Sequence, residues 1–142
     1  MDNETYQQLH DLPKELDNPN VSIAAPFSQA VFPGRGKFVP KKKFIVIQNR
    51  KGHHRKNNLS YLLRSNNGTL IRIDINGKTH SHVPTPHVHI FDEAHHNGVD
   101  VIPLSKLRNY LNQSTDVSES LLAFLDYNNF ETKNLLFSKN LV

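Results

Sequence analysis

The sequence predicts an α+β fold: a single domain built on an antiparallel β-sheet of four to five strands, with two or three short helices around it. Three observations carry this expectation. Between residues 42 and 102 the chain runs in short stretches rich in β-branched and aromatic residues, each bounded by Asn, Gly or Pro. After Pro103 and again after Asp116 the leucine spacing changes to that of helices. At 142 residues with no cysteine, the chain has the size of one domain and buries enough surface to stand without disulfide staples.

Taken in order, residues 3–12 (NETYQQLHDL) read as a short helix, with Asn3 as its cap, Tyr6, Leu9 and Leu12 on one face, and Pro13 as its stop. Residues 13–41 read as an irregular proline-rich wrap, because Pro13, Pro19, Pro26, Pro33 and Pro40 punctuate it while Val21, Ile23, Phe27, Val31, Phe32 and Phe38 are too apolar for a free linker. Strands follow at residues 42–49, 58–65 and 69–76; in the last, Ile71, Ile73 and Ile75 take one face and Arg72 and Asp74 the other. A long basic loop, NRKGHHRKN, joins the first two, and Asn66-Asn67-Gly68 joins the next two. Asn76-Gly77 carries a type I′ hairpin signal that returns the chain alongside the third strand.

The segment HVHIF (87–91) sets Val88 and Ile90 opposite His87 and His89, the pattern of a strand with one buried face. His95-His96-Asn97-Gly98 forms a turn and VDVI (99–102) a further short strand. Pro103 then opens an expected helix over 103–112 with Leu104, Leu107 and Leu111 as its buried stripe. Asp116, with Glu119 three residues on, caps a second helix that turns Val117, Leu121, Leu122 and Leu125 inward and closes at Asn128-Asn129. The tail, 130–142, fits a last strand or a docked helix equally. The domain thus divides into the wrap with its helix (1–41), the sheet with the histidine-rich segment (42–102), and the helices and tail (103–142).

Charge is unevenly placed. The net charge is +4, yet from Asn18 to Ile73 there is no Asp or Glu, and that stretch holds eleven of the seventeen Lys and Arg residues. Lys41, Lys42, Lys43, Arg50, Lys51, Arg55 and Lys56 are therefore expected to form a positive face for nucleic-acid phosphate or an acidic partner surface. No apolar run approaches the roughly 20 residues that span a bilayer, and the polar, acidic N-terminal stretch is unlike a signal peptide. A cytoplasmic protein with no membrane partner is expected.

The densest chemistry lies in residues 78–98, which contain six of the nine histidines. His80-x-His82 and His87-x-His89 are two pairs at the spacing that turns both side chains to one face of an extended chain, and Pro84 and Pro86 keep the segment between them extended. With no thiol available, histidine and carboxylate are the strong metal ligands. Three of these histidines with Asp74 make a tetrahedral N₃O set at about 2.0–2.2 Å, which suits zinc. Asp74, His80, His82, His87 and His89 are the candidate ligands. His95 and His96, being adjacent, splay apart, so at most one joins. The two histidines of RKGHHRK (50–56) suit acid–base chemistry on RNA, but a solvated loop tip is the simpler reading. No Walker loop, nucleophile elbow or His-Glu-x-x-His motif occurs. PHVHIFDE lacks the histidine-triad pattern, since Phe91 stands where that family has His or Gln.

Two resemblances follow from these residues. The run RIDINGKTHSHVPTPHVHIFDE resembles a class of small mobile-element proteins with an Arg-x-Asp, a His and a closing His-x-His-Ile, matched here by Arg72, Asp74, His80, His87 and His89. In size, absence of cysteine, split charge, abundance of Asn and histidine metal motif, the whole chain resembles the small phage-encoded anti-CRISPR proteins of type II-A systems. That resemblance implies a zinc-binding inhibitor that docks on a CRISPR effector nuclease in the host bacterial cytoplasm and blocks loading of its guide RNA or target DNA. The alternative is a small toxin-like ribonuclease using the histidine cluster. An inhibitor is favoured because five candidate ligands leave no separate general base.

Overall fold

The alternation of apolar and polar residues along the central runs is realised as a seven-stranded antiparallel sheet. The computed structural model describes residues 1–52 and 58–139. In chain order it comprises α1 (Asn3–Asp11), β1 (Lys14–Leu16), β2 (Asn20–Ile23), β3 (Gln29–Gly36), β4 (Lys43–Asn49), β5 (Leu59–Ser65), β6 (Gly68–Asn76), β7 (His87–Ile90), β8 (Val101–Pro103), α2 (Val117–Tyr127) and β9 (Leu136–Lys139). The large sheet runs β1-β3-β4-β5-β6-β7-β8, and β2 pairs in parallel with β9. The class is the expected α+β, but the strand count exceeds the four to five expected. No helix among the described residues is long and apolar enough to cross a membrane.

The additional strands come from the segment expected to be an irregular wrap. Its prolines do not prevent β3. Pro33 turns its carbonyl outward to the Asp17 N–H (2.9 Å), so its nitrogen faces the same outer side, beyond the end of three-residue β1, and β4 loses no ladder bond. Gly34 lets β1 approach: a Cβ there meets the Glu15 carbonyl oxygen at 2.8 Å. The expected helix over 103–112 is absent. Pro103 is instead the last residue of β8, paired with His87, and only one 3-10 turn (Leu104–Lys106) follows before Leu111 stands 93% exposed. Pairing to β7 takes the residues that were to start the helix.

One face of the sheet carries the core. Val46, Tyr61, Leu63, Ile71, Ile73 and Val88 are fully buried, as are Leu121, Phe124 and Leu125 of α2. Tyr61 stacks on Phe124 at 5.3 Å, and its hydroxyl meets Ser120 Oγ (2.6 Å) and accepts from Gln48 Nε2 (3.0 Å). The helix therefore lies across β5, and the opposite face, with Ser60, Arg72 and Asp74, is the one it leaves uncovered. Asp116 caps α2 as expected, accepting from Ser118 N and Glu119 N. At α1 the cap is Asp2, accepting from Thr5 N, one residue before the Asn3 expected. The tail settles as β9 because its residues pair with Asn20–Ile23.

Lys14 joins both helices to the sheet. It is fully buried, and its Nζ donates to the carbonyls of His10 (2.9 Å), Leu12 (2.9 Å) and Asn128 (2.7 Å). These lie at the C-terminal ends of α1 and α2, where unpaired carbonyls and the helix dipoles favour a cation. Phe44 and Phe130 enclose the ammonium at 5.1 and 5.8 Å. Lys14→Met keeps the volume but orphans the Leu12 and Asn128 carbonyls, while that of His10 keeps Asn129 Nδ2 (2.9 Å), and is expected to cost about 2–4 kcal/mol in urea unfolding. A loss below about 0.5 kcal/mol would show the carbonyls to be satisfied without the lysine.

Candidate metal centre

Register places the centre. β6 and β7 pair with Asp74 opposite His87 and Arg72 opposite His89, so residues at i and i+2 of both strands share one face, with Cβ atoms of opposed pairs about 4.5–5.5 Å apart. The other face of the same residues' neighbours is Ile71, Ile73, Val88 and Ile90, which the core buries. Hydrophobic alternation thus fixes which way the polar four point. His80 arrives from the β6–β7 connection. Its N–H and carbonyl pair with those of Val83 (3.1 and 2.8 Å) around a two-residue turn, Ser81 and His82, both at positive φ (48° and 63°). The turn expected at Asn76-Gly77 is displaced to this point, because Gly77 does not take the positive φ that a type I′ turn requires.

The three imidazoles of His80, His87 and His89 stand edge-on to one another, with centroids 5.1–5.2 Å apart. One ligand atom from each, together with an Asp74 oxygen, lies within 4.8 Å of all the others. An ion about 2.1 Å from each ligand draws such a set in to about 3.4 Å between ligand atoms.

The hydrogen bonds around the rings set their protonation. His87 Nδ1 is 2.9 Å from the Val83 carbonyl oxygen and His89 Nδ1 is 2.9 Å from that of Gly98. A carbonyl oxygen only accepts, so each Nδ1 carries a proton and each Nε2 is turned the other way. Both Nε2 atoms face one oxygen: Asp74 Oδ2 lies 2.8 Å from His87 Nε2 and 3.3 Å from His89 Nε2. The second contact lacks hydrogen-bond alignment, and His89 Nε2 is a buried nitrogen without a hydrogen-bond partner. Lone pairs converging on a carboxylate repel unless a proton or a cation lies between them. Asp74 Oδ1 accepts from Arg72 Nε at 2.8 Å. Burial pushes the Asp74 carboxyl up, but His89, Arg72 and His87 together hold it well below the usual carboxylate range. The same carboxylate raises the His89 imidazole against the burial that lowers it, while desolvation lowers His80.

Of the five candidate ligands, Asp74, His80, His87 and His89 come together; His82 does not. The Ser81-His82 turn leaves His82 exposed, so the first His-x-His pair does not share a face. Neither adjacent histidine joins: His95 Nδ1 contacts Asp92 Oδ1 (2.7 Å) and His96 Nδ1 contacts Asp100 Oδ2 (2.6 Å). Of the basic candidates, the described ones fall at the two ends of β4. Lys41, Lys42 and Lys43 are exposed at the start of β4, whereas Arg50, donating to the Ala24 carbonyl (2.6 Å), and exposed Lys51 follow its far end, a strand length of about 20 Å away. Arg55 and Lys56, like His53 and His54, lie outside the described residues. Sequence reasoning missed the orienting carbonyls. Gly98 stands at φ +89° with no room for a Cβ, which Phe91 would meet at 2.7 Å, and a glycine at a turn is the one signal that marked it.

A model for a family of unknown function (DUF6978) matches residues 1–130. No curated protein and no solved structure matches the chain.

The Asp74 group makes the metal-free protein pH-sensitive in a defined direction. The folded pKa of His89 lies above its unfolded value, so its contribution is complete below about pH 6.5 and is lost as pH rises through the folded value. Asp74 acts oppositely, contributing above the ordinary carboxylate range and losing that contribution only in strong acid. Burial lowers Lys14, His10 and His80, which makes stability rise with pH over the same window, so the pairing is read as a difference: relative to Asp74→Asn, metal-free wild type is expected to lose melting temperature between about pH 6 and pH 8. A difference between wild type and Asp74→Asn that is flat or rising across that window counts against the pairing.

Proposed function

The chain belongs to DUF6978, a family of unknown function, and from the geometry of its histidine group we propose that it is a zinc-binding protein acting through binding rather than catalysis, its ion held by Asp74, His80, His87 and His89. One observation carries this: two histidines whose Nδ1 atoms are committed to backbone carbonyls turn their Nε2 atoms to a single carboxylate oxygen. Metal-bound histidines are oriented in this way, with the outer nitrogen donating and the inner one ligating. Four protein ligands close a tetrahedral zinc, while a catalytic zinc keeps a position for water. The ligand count therefore favours a structural ion, tying the 77–86 connection to the sheet, over the ribonuclease reading.

For the partner, the reading remains an inhibitor of a type II CRISPR effector nuclease that blocks nucleic-acid loading. What supports an interacting surface is the tip joining β3 to β4. There Phe38 is 75% exposed and Lys41, Lys42 and Lys43 follow it on the surface. An exposed aromatic among cations suits an acidic protein surface.

Protein prepared without a histidine tag or nickel column is expected to hold about one zinc per chain by elemental analysis. Chelation should lower its melting temperature, since an ion bound only to the native state at a hundredfold excess over Kd contributes about 2.7 kcal/mol. His87→Ala and His89→Ala should lose the ion and His82→Ala should keep it. Equal loss from His82→Ala, or metal-free protein with unchanged melting, defeats the assignment. Reversing Lys41, Lys42 and Lys43 to Glu together should leave zinc and folding intact and abolish inhibition of target loading by a purified type II nuclease at low salt. Wild-type protein that leaves target loading unaffected refutes the inhibitor.

A further inference from the structure

On the face that α2 leaves uncovered, a cavity of about 590 Å³ opens beside the metal centre, and Asp74 and His80 form part of its wall. That volume lies in the range of small-ligand sites. Its charge is one-sided. Arg72, Lys51, Lys78 and Ser60 line it, and among the described residues Asp74 is the one carboxylate in the wall. Asp74 is already committed, through Oδ1 to Arg72 and through Oδ2 to the histidines. Neither Lys51 nor Lys78 has a carboxylate partner among the described residues, and both side chains are exposed.

We propose that this cavity binds a phosphate monoester, with Arg72, Lys51 and Lys78 as its anion-binding residues and the zinc acting as their anchor through Asp74; the anchoring role rests on the zinc assignment above. Arg72 uses Nε for Asp74 Oδ1, which leaves the terminal N–H donors of its planar fork for two oxygens of a phosphate. An ion that fixes Oδ2 also fixes Oδ1, and so sets the plane of the guanidinium. Charge selects the monoester: with Arg72 already paired to Asp74, the two lysines match a dianion, while a phosphodiester, with a single charge, leaves one of them unpaired. The metal site is then the support of a ligand site, and the sheet supplies both from one face.

The test is calorimetric titration of zinc-loaded protein with phenyl phosphate, and separately with dimethyl phosphate and a short single-stranded oligonucleotide, with zinc content measured on every sample. Phenyl phosphate is expected to bind best. Lys51→Glu with Lys78→Glu should weaken it about tenfold or more while zinc stays near one per chain. Both residues are exposed, so the double variant is expected to fold, which circular dichroism checks. Full zinc with no affinity for phenyl phosphate, affinity unchanged by the double reversal, or tighter binding of the oligonucleotide overturns the cavity assignment and leaves the zinc assignment standing. Protein that never holds zinc, yet binds phenyl phosphate in a manner lost on charge reversal, supports the cavity and removes the zinc anchor.

Discussion

The structure turns on the pairing of β6 with β7, which sets Asp74 against His87 in a place where almost no water reaches either. A buried carboxylate is costly unless its charge is answered, and both oxygens of Asp74 are answered: Oδ1 by Arg72, Oδ2 by the histidines. The pairing register cannot slip. A shift of one residue turns Ile71, Ile73, Val88 and Ile90 out of the core and sends Asp74 into it, a double penalty of lost apolar burial and an unpaired charge. The same alternation that builds the core therefore aims the ligands.

Rigidity around the site comes from both sides of the sheet. Across β5, the Tyr61–Phe124 stack and the Tyr61–Ser120–Gln48 hydrogen bonds fix α2 to the core face. At the β1 edge, Lys14 draws the C-terminal ends of α1 and α2 onto one ammonium. On the open face, backbone carbonyls do the orienting: Val83 accepts from both His80 N and His87 Nδ1, and Gly98 accepts from His89. The centre is thus set in a frame whose parts are packed before any ion arrives, and binding need order little beyond the 77–86 connection. A site prepared in this way spends less of its binding free energy on ordering.

Much of this was legible in the chain. The runs at 42–49, 58–65 and 69–76 are rich in β-branched and aromatic residues and bounded by turn residues, and their strands begin and end within about one residue of expectation. Asp116 with Glu119 marked the start of α2 because a cap is a local hydrogen-bonding arrangement. The spacings that place Arg72 with Asp74, and His87 with His89, are local in the same sense: once a residue is in a strand, its neighbour two positions on shares its face. By contrast, β1 and β3 run through a segment punctuated by proline, and they form because β4 and the β1 edge offer partners remote in sequence. The leucine stripe after Pro103 failed for the same reason, since β7 claimed Pro103 for its own edge.

By itself, then, the sequence determined the α+β class, the central strands and the candidacy of Asp74, His87 and His89 as ligands, all of which depend on residue type and spacing over a few positions. Tertiary structure alone decided that His80 joins them and His82 does not, because a turn at Ser81-His82 reverses the chain between two residues that an extended backbone would have aligned. It also decided that Lys41, Lys42 and Lys43 stand a strand's length from Arg50 and Lys51, and that Arg72 faces a cavity beside the ligands. Spacing fixes direction only while the backbone conformation is known, and in the connections that conformation is set by long-range pairing.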